Sequence, residues 1–365
     1  MDKRLKVLVL SGGCSAEHEV SLNSAKSVVE ALDKEKYEVI AVIISPEGEW
    51  SLAHKSSSLA PVAGQVVTPS LNRMPRGLLL LANESKRGFE PFIQGIDLVF
   101  PVLHGPYGED GTIQGFCEIA DLPYVGAGVL ASAVGMDKGY MKIILREAGL
   151  PVVDFLTFKL TEWRASSLQI AEEIEKSLGY PVFVKPSALG SSIGISKANA
   201  RQELVDAVAE AGLYQEKILV EKAIDCRELE CGVLGDEEPE ASVVAEIIPG
   251  HEFYDYETKY SDQLVNIHIP ASLPASIAQD IQRLSIKAFK AIGASGMARV
   301  DFFLENGTNK IYLNEINTIP GFTATSVYPK LWEASSIPYS RLLDRLIELA
   351  IERHKKKAHY RTQRT

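Results

Sequence analysis

The chain has 365 residues, of which 46% are hydrophobic and 24% charged, and it carries a formal net charge of −10. This length exceeds one ordinary core and predicts two or three globular domains. The acidic balance excludes bulk binding to a phosphate backbone, and no run of roughly 18 apolar residues is present to form a membrane-spanning helix.

Leu5–Leu10 is a continuous apolar run, the mark of a strand buried on both faces. Its basic start and the break at Ser11-Gly12-Gly13 make it a first strand rather than a signal peptide. Glu17–Leu32 predicts a helix with Val20, Val28, Val29 and Leu32 apolar, and Val39–Ile44 a second buried strand. Together they open a βαβ unit, with a ligand crevice expected at the strand's carboxyl end. The dinucleotide pattern G-x-G-x-x-G is absent, and Glu17 and Glu19 at the helix start would repel a pyrophosphate. Such a pair suits an ammonium group, or it simply favours the helix N-terminal dipole; both readings stay open. Cys14, Cys117, Cys226 and Cys231 fit no metal spacing and read as free thiols of a cytosolic protein.

Residues 51–90 are rich in Ser, Pro and Lys, lack a clear period and read as a surface excursion. Ile96–Leu103 predicts a strand that ends in the glycine-rich loop HGPYGEDG (104–111), with His104, Glu109 and Asp110. Thr112–Ile119 is a short helix, and Leu122–Gly128 closes the first domain. Met136–Ala148 predicts a helix with Lys138 and Lys142 on one face. Leu150–Phe158 leads to a strand, and Ser166–Leu178 is an amphipathic helix.

In YPVFVKPSALGSSIGIS (180–196) a strand ends at Lys185-Pro186, a loop with Gly190, Ser191, Ser192 and Gly194 follows, and a strand resumes at Ile195. Small residues let backbone N–H groups approach phosphate oxygens, and a lysine at the loop's base adds charge. The helix-opening motif G-x-x-x-x-G-K-[ST] is absent, so the loop reads as a flap between two strands or as a plain Gly/Ser-rich hairpin. Gln202–Ala211 predicts a helix; Lys217–Ala223, 225–235 and Ser242–Ile248 predict strands, with Glu221 and Glu228 flanking the first connection. Residues 253–263, FYDYETKYSDQ, form a polar–aromatic loop suited to a lid, in which Lys259 and Tyr260 have no evident core role.

The helix Leu273–Ile292 leads into a hairpin: strand Met297–Leu304, turn Glu305–Asn309 around Asn306-Gly307, strand Lys310–Glu315. Arg299 and Asp301 sit two apart and leave the same face of their strand; Glu315 and Asn317 repeat the spacing. Oxygen ligands on neighbouring strands, with no Cys or His among them, suit a hard cation such as Mg²⁺ with phosphate nearby. The alternative is a solvent-facing hairpin with ordinary surface charges. The turn PGFTATS (320–326) and the amphipathic helix Pro338–Arg353 complete the chain.

Eight motifs in this order are highly specific: GGCSAEHEVSLNSA, HGPYGEDGTIQG, GMDK, VKPSALGSSIGIS, VEKAIDCRELE, YDYETKY, ARVDFF and NEINTIPGFTATS. The sequence resembles the D-alanine–D-alanine ligases of the ATP-grasp superfamily over almost its whole length, residues 46–90 least of all. The resemblance implies an α/β chain, α+β in its C-terminal half, in a three-domain ATP-grasp fold with an N-terminal Rossmann-like domain. Residues 1–126 would bind the first amino acid, 127–223 carry the flap, and 224–365 carry the lid and metal site. The implied substrates are D-alanine and ATP, with two Mg²⁺ or Mn²⁺ ions and room for a monovalent cation. The implied setting is cytoplasmic peptidoglycan precursor synthesis by a homodimer joined through the N-terminal domain, with no nucleic-acid or membrane partner.

In the terms of that resemblance, Lys138 and Lys185 contact the ATP phosphates, and Ser191, Phe253, Lys259 and Asn314 belong to the same nucleotide site. Glu221 and the backbone of Lys222 and Ile224 meet the adenine, and Glu228 meets the ribose. Asp301, Glu315 and Asn317 ligate the metal. Glu17 pairs with the ammonium of the first D-alanine, with His104 close by. Arg299 and the N–H of Gly321 stabilise the oxyanion, Arg299 being left free for it. Ser326 and Lys259 lie around the second substrate's carboxylate and the γ-phosphate. Tyr260, Ser191 and Glu17 form a hydrogen-bonded group that positions flap and lid. The intact Lys259-Tyr260 pair favours attack by an amine over a hydroxyl. Val327 stands where the family commonly has Leu, and Ala188-Leu189 replaces a more polar pair seen in some relatives, at flap positions not expected to touch substrate.

Overall fold

The computed structural model describes residues 4–53, 59, 61–69, 77–80, 94–191, 193–249, 265–323 and 325–360. Three sheets organise them. The first contains β1 (Leu5–Gly12), β2 (Tyr37–Ile44), β3 (Trp50–Ala53), β4 (Pro61–Pro69), β5 (Gly77–Leu80), β6 (Gln94–Gly95) and β7 (Leu98–Pro101), in the order β6-β5-β4-β3-β2-β1-β7. β1 is parallel to both β2 and β7. Because successive side chains point to opposite faces, Val7 and Val9 of β1 join one core with α1 (His18–Ala31), while Leu8 and Leu10 join another with α2 (Thr112–Ile119). The stretch read as a surface excursion in fact supplies β3, β4 and β5, which pair antiparallel outward from β2. Pro61 and Pro69 bound β4, and Gly64 lies within it, so the sequence there shows no clean period of two.

The helix expected over Met136–Ala148 is α4 (Lys138–Glu147), and a further helix, α3 (Val129–Met136), precedes it. Asp137 divides them: its backbone is extended, and its side chain accepts from the N–H of Tyr140 and caps α4. The second sheet contains β8 (Phe155–Lys159), β9 (Val182–Pro186), β10 (Ser196–Ala198) and β11 (Lys217–Lys222), in the order β10-β9-β11-β8. α5 (Leu160–Ser177) and α6 (Arg201–Ala211) supply Trp163, Ile174, Leu204 and Val208 to its core. α5 starts ahead of the expected Ser166, at which it kinks.

The third sheet is antiparallel, ordered β14-β13-β12-β15-β16: β12 (Cys226–Gly235), β13 (Glu240–Pro249), β14 (Val265–His268), β15 (Gly296–Glu305) and β16 (Ile311–Asn317). α7 (Ala275–Ala291) packs Ile281, Ala288 and Phe289 against it, and Met141 and Leu145 of α4 enter the same core. α8 (Val327–Ala334) brings Tyr328 and Trp332 into the first sheet's core. α9 (Tyr339–Ala358) returns to that core through Leu342, Leu346 and Ile347. Arg353 of α9 ties the units together. It donates to the carbonyls of Tyr124 (2.8 Å) and Gly126, and to Ser295 Oγ at 2.6 Å. All four cysteines are free thiols.

Candidate active site

The hairpin β15–β16 sets the site's floor. Its register places Arg299 opposite Asn317 and Asp301 opposite Glu315, and a bulge follows directly after Asp301. The period-2 argument therefore holds across both strands. Arg299, expected to be left free for an oxyanion, is instead paired. Its Nε and Nη2 donate to the two oxygens of Asp301 at 2.8 and 2.7 Å, and Nε lies 3.1 Å from Glu230 Oε2 on β12. A guanidinium fork beside a carboxylate two residues away makes this pairing natural while no ligand competes. Burial works against the Arg299 charge, but Asp301 and Glu230 outweigh it and raise its pKa further above the ordinary value. Asn317 Oδ1 accepts from the N–H of Ile319 at 2.9 Å, and Glu315 lies 3.4 Å from the ammonium of Lys138.

Lys138 opens α4 and donates to the carbonyl of Leu189 in the flap at 2.8 Å. Leu189, not expected to touch substrate, thus lines the cavity and anchors a lysine. Lys185 ends β9 and donates to Glu221 Oε1 of β11, while Lys142 of α4 faces Glu221 Oε2 at 3.0 Å. Burial opposes the Glu221 charge, but Lys142 and then Lys185 hold its carboxyl down at about 2. Burial lowers the pKa of Lys142; Lys185 is raised, because Glu221 overcomes the same penalty there.

The flap is held at its base by Gln215, which accepts from the N–H of Ala188 (2.6 Å) and donates to its carbonyl (2.8 Å). At its tip Ser191 donates to Glu17 Oε1. Glu17 is buried and its side chain makes no helix cap, whereas Glu19 is the exposed acidic residue of the first turn of α1. A Cβ on Gly190 would come within 3.2 Å of Glu17 Oε2, so the small residue permits the close approach.

His104 is buried, with Nδ1 3.3 Å from Glu109 Oε1 and Nε2 3.3 Å from Ser24 Oγ. Burial opposes its charge, yet Glu109 and Glu17 raise its pKa overall. Ser24 Oγ also accepts from the N–H of Phe322 at 3.3 Å, which links the first sheet to the turn after β16. In that turn Ser326 Oγ accepts from the N–H of Thr323 at 3.0 Å, and a Cβ on Gly321 would lie 2.8 Å from it.

One cavity of about 1830 Å³ unites these groups. From the first sheet it is lined by Glu17 and His104, and from α4, β9 and the flap by Lys138, Lys185 and Ser191. Glu221, Lys222, Ile224 and Glu228 line another wall of it. Arg299, Asp301, Asn314, Glu315 and Asn317 line the hairpin wall, with Gly321 and Ser326 beside them. Phe253, Lys259 and Tyr260 lie outside the described residues. The sequence reading missed Glu230, Gln215 and Ser24 and gave Lys142 no task. Of these only Glu230 left a usable signal, its i,i+2 spacing from Glu228 on a strand that pairs with β15.

The family model for the D-ala D-ala ligase N-terminus matches residues 6–127, and the one for the D-ala D-ala ligase C-terminus matches residues 144–348. The chain belongs to the D-alanine–D-alanine ligase family. It is 49% identical to the D-alanine–D-alanine ligase of Thermoanaerobacter sp. over 98% of this chain and 99% of that one. It is 48% identical to the D-alanine–D-alanine ligase of Solibacter usitatus over 97% and 98%. Among solved structures, the D-alanine–D-alanine ligase of Coxiella burnetii superposes with a TM-score of 0.83 at 37% identity, covering 97% of each chain. The VanG D-Ala:D-Ser ligase of Enterococcus faecalis superposes with a TM-score of 0.84 at 37% identity, over 95% of this chain and 100% of that one. The fold is accordingly the α/β ATP-grasp fold of this ligase family.

Proposed function

We infer that this chain joins two D-alanines into D-alanyl-D-alanine at the expense of ATP, through a D-alanyl phosphate, releasing ADP and phosphate for peptidoglycan precursor synthesis. The observation that carries the reading is the meeting, in one cavity, of Glu17, the lysines Lys138 and Lys185, and the hairpin face of Arg299, Asp301, Glu315 and Asn317. We assign residues 1–126 to the first amino acid, with ATP held between the 127–223 and 224–365 units.

Asp301, Glu315 and Asn317 make an all-oxygen donor set on facing pleats, which suits Mg²⁺ or Mn²⁺. Such ions, when bound, neutralise charge on the phosphoryl group. Asp301 then shares its oxygens with Arg299, which the lone pairs of a carboxylate allow. Glu17 takes the ammonium of the first D-alanine and turns its carboxylate toward the phosphate end, where Lys138 and Lys185 meet the nucleotide. The resulting acyl phosphate is attacked by the second D-alanine's amine. Arg299 and the N–H of Gly321 face the developing oxyanion, and Ser326 meets the second carboxylate. The Ser191–Glu17 contact holds the flap over the reacting groups and excludes water.

Cytoplasmic location and a homodimer through the N-terminal unit belong to the same proposal. Among the described residues no helix is long and apolar enough to cross a membrane. Sedimentation at graded concentrations tests the dimer. The activity is tested by phosphate release from ATP with D-alanine alone, and with D-alanine plus D-serine or D-lactate. Little release with D-alanine as sole substrate would sink the assignment.

A further inference from the structure

Lys142 has no task in the reaction above, yet it is among the largest fully buried side chains of the chain. A buried ammonium is costly unless paired. Its partner is Glu221, and both side chains are only 1% exposed. The other oxygen of that carboxylate takes Lys185. Two cations from α4 and β9 thus share one anion from β11, one more than Glu221 needs. They also differ in place: Lys185 lines the cavity, while Lys142 is sealed behind it.

We propose that Lys142 is a positioning residue of the nucleotide site: it keeps Glu221 neutralised while Lys185 exchanges that carboxylate for a phosphate of ATP. The proposal rests on the assignment of Lys185 to the ATP phosphates. Without Lys142, the exchange would leave Glu221 buried and uncompensated, so Lys185 would stay on Glu221 and the phosphates would lose a partner. Lys142 thereby biases a two-position element toward its binding-competent arrangement.

The test is the affinity of the full chain for a non-hydrolysable ATP analogue with Mg²⁺, by calorimetry. The proteins compared are wild type, Lys142→Met, Glu221→Gln, the double variant and Lys185→Met. Glutamine at 221 retains an oxygen acceptor for an adenine amino group but needs no counter-ion. Lys142→Met is expected to weaken binding roughly 10- to 100-fold, the span of a typical coupling between linked groups. In the Glu221→Gln background the same change is expected to do nothing. The KM for D-alanine should not move, whereas a merely supporting role would disturb both substrates in both backgrounds. Equal weakening in the two backgrounds overturns the proposal, as does unchanged binding by Lys142→Met where Lys185→Met binds poorly. If Lys185→Met binds normally, the phosphate assignment fails first and the proposal falls with it. Should Lys142→Met not fold, Glu221→Gln against the double variant decides: equal affinities support the proposal, and weaker binding by the double overturns it.

Discussion

Two charge clusters, one buried and one partly buried, face the same cavity with opposite local excesses. Between α4, β9 and β11, Lys142 and Lys185 share the single carboxylate of Glu221. On the hairpin and β12, Asp301 and Glu230 share the single guanidinium of Arg299, with Glu315 opposite Asp301. A cluster built only for stability would match its charges, because an unmatched buried ion costs several kcal/mol, roughly 3–5 where one partner is removed. The two clusters partly match each other, since Glu315 also acts on Lys142 and Lys185; the local excess is positive where phosphate is proposed and negative where a divalent cation is proposed. Phosphate and metal are neighbours in the reaction, and the two surpluses are neighbours in the cavity.

Removing the one cation of the negative cluster is expected to have the largest effect. Arg299→Ala should lower turnover by about 10²- to 10³-fold, the range for losing an oxyanion donor, and lower the melting temperature because Asp301 and Glu230 lose their shared partner. ATP binding should be largely spared; surviving turnover would show that Arg299 does not face the oxyanion. Next is Glu315→Gln, which cuts the negative surplus at the proposed metal. Phosphate release titrated against Mg²⁺ should need at least roughly 10- to 100-fold more cation, since even outer-shell partners are worth that much. An unchanged Mg²⁺ requirement would separate Glu315 from metal binding.

The positive cluster predicts a dependence on acid. The Glu221 carboxyl is held at about 2, below its ordinary 4.5. Its depressed pKa contributes stability that is complete above 4.5 and is lost as pH falls from there toward 2. Thermal melts across that window should fall more steeply for wild type than for Glu221→Gln, and parallel curves would contradict the pairing. The smallest effect is expected from Glu230→Gln, which leaves the Arg299–Asp301 fork in place. Turnover should fall far less than for Arg299→Ala, because the fork to Asp301 keeps the guanidinium in place; a comparable loss would mean that Glu230, and not Asp301, orients the guanidinium.

The two clusters also differ in how far they could be read beforehand. The hairpin face was legible because alternation within short strands carries Arg299, Asp301, Glu315 and Asn317 to one side whatever the rest of the chain does. Glu221 and Lys185 could be named through the family's motifs, but not the fact that they meet each other. Lys142 was visible only as a second lysine one turn after Lys138. The strands of residues 50–80 escaped notice because Pro61, Gly64 and Pro69 blur the period, the prolines standing at the first and last positions of β4. The start of α4 was read to within two residues, whereas α3 just before it, an eight-residue helix without a side-chain cap, was missed.

What followed from the sequence by itself was local or carried by motif: buried strands from apolar runs, a polar hairpin face from period two, and family membership from eight motifs in order. What only the tertiary structure decided was pairing. Arg299 spends its fork on Asp301 and Glu230, Glu17 receives the flap through Ser191, and Lys142 backs Glu221 from across 79 positions of chain. The physical reason is that spacing sets the direction in which a side chain leaves the backbone. Which charge it meets, and whether that charge is left in surplus, depends on how three sheets close around one cavity.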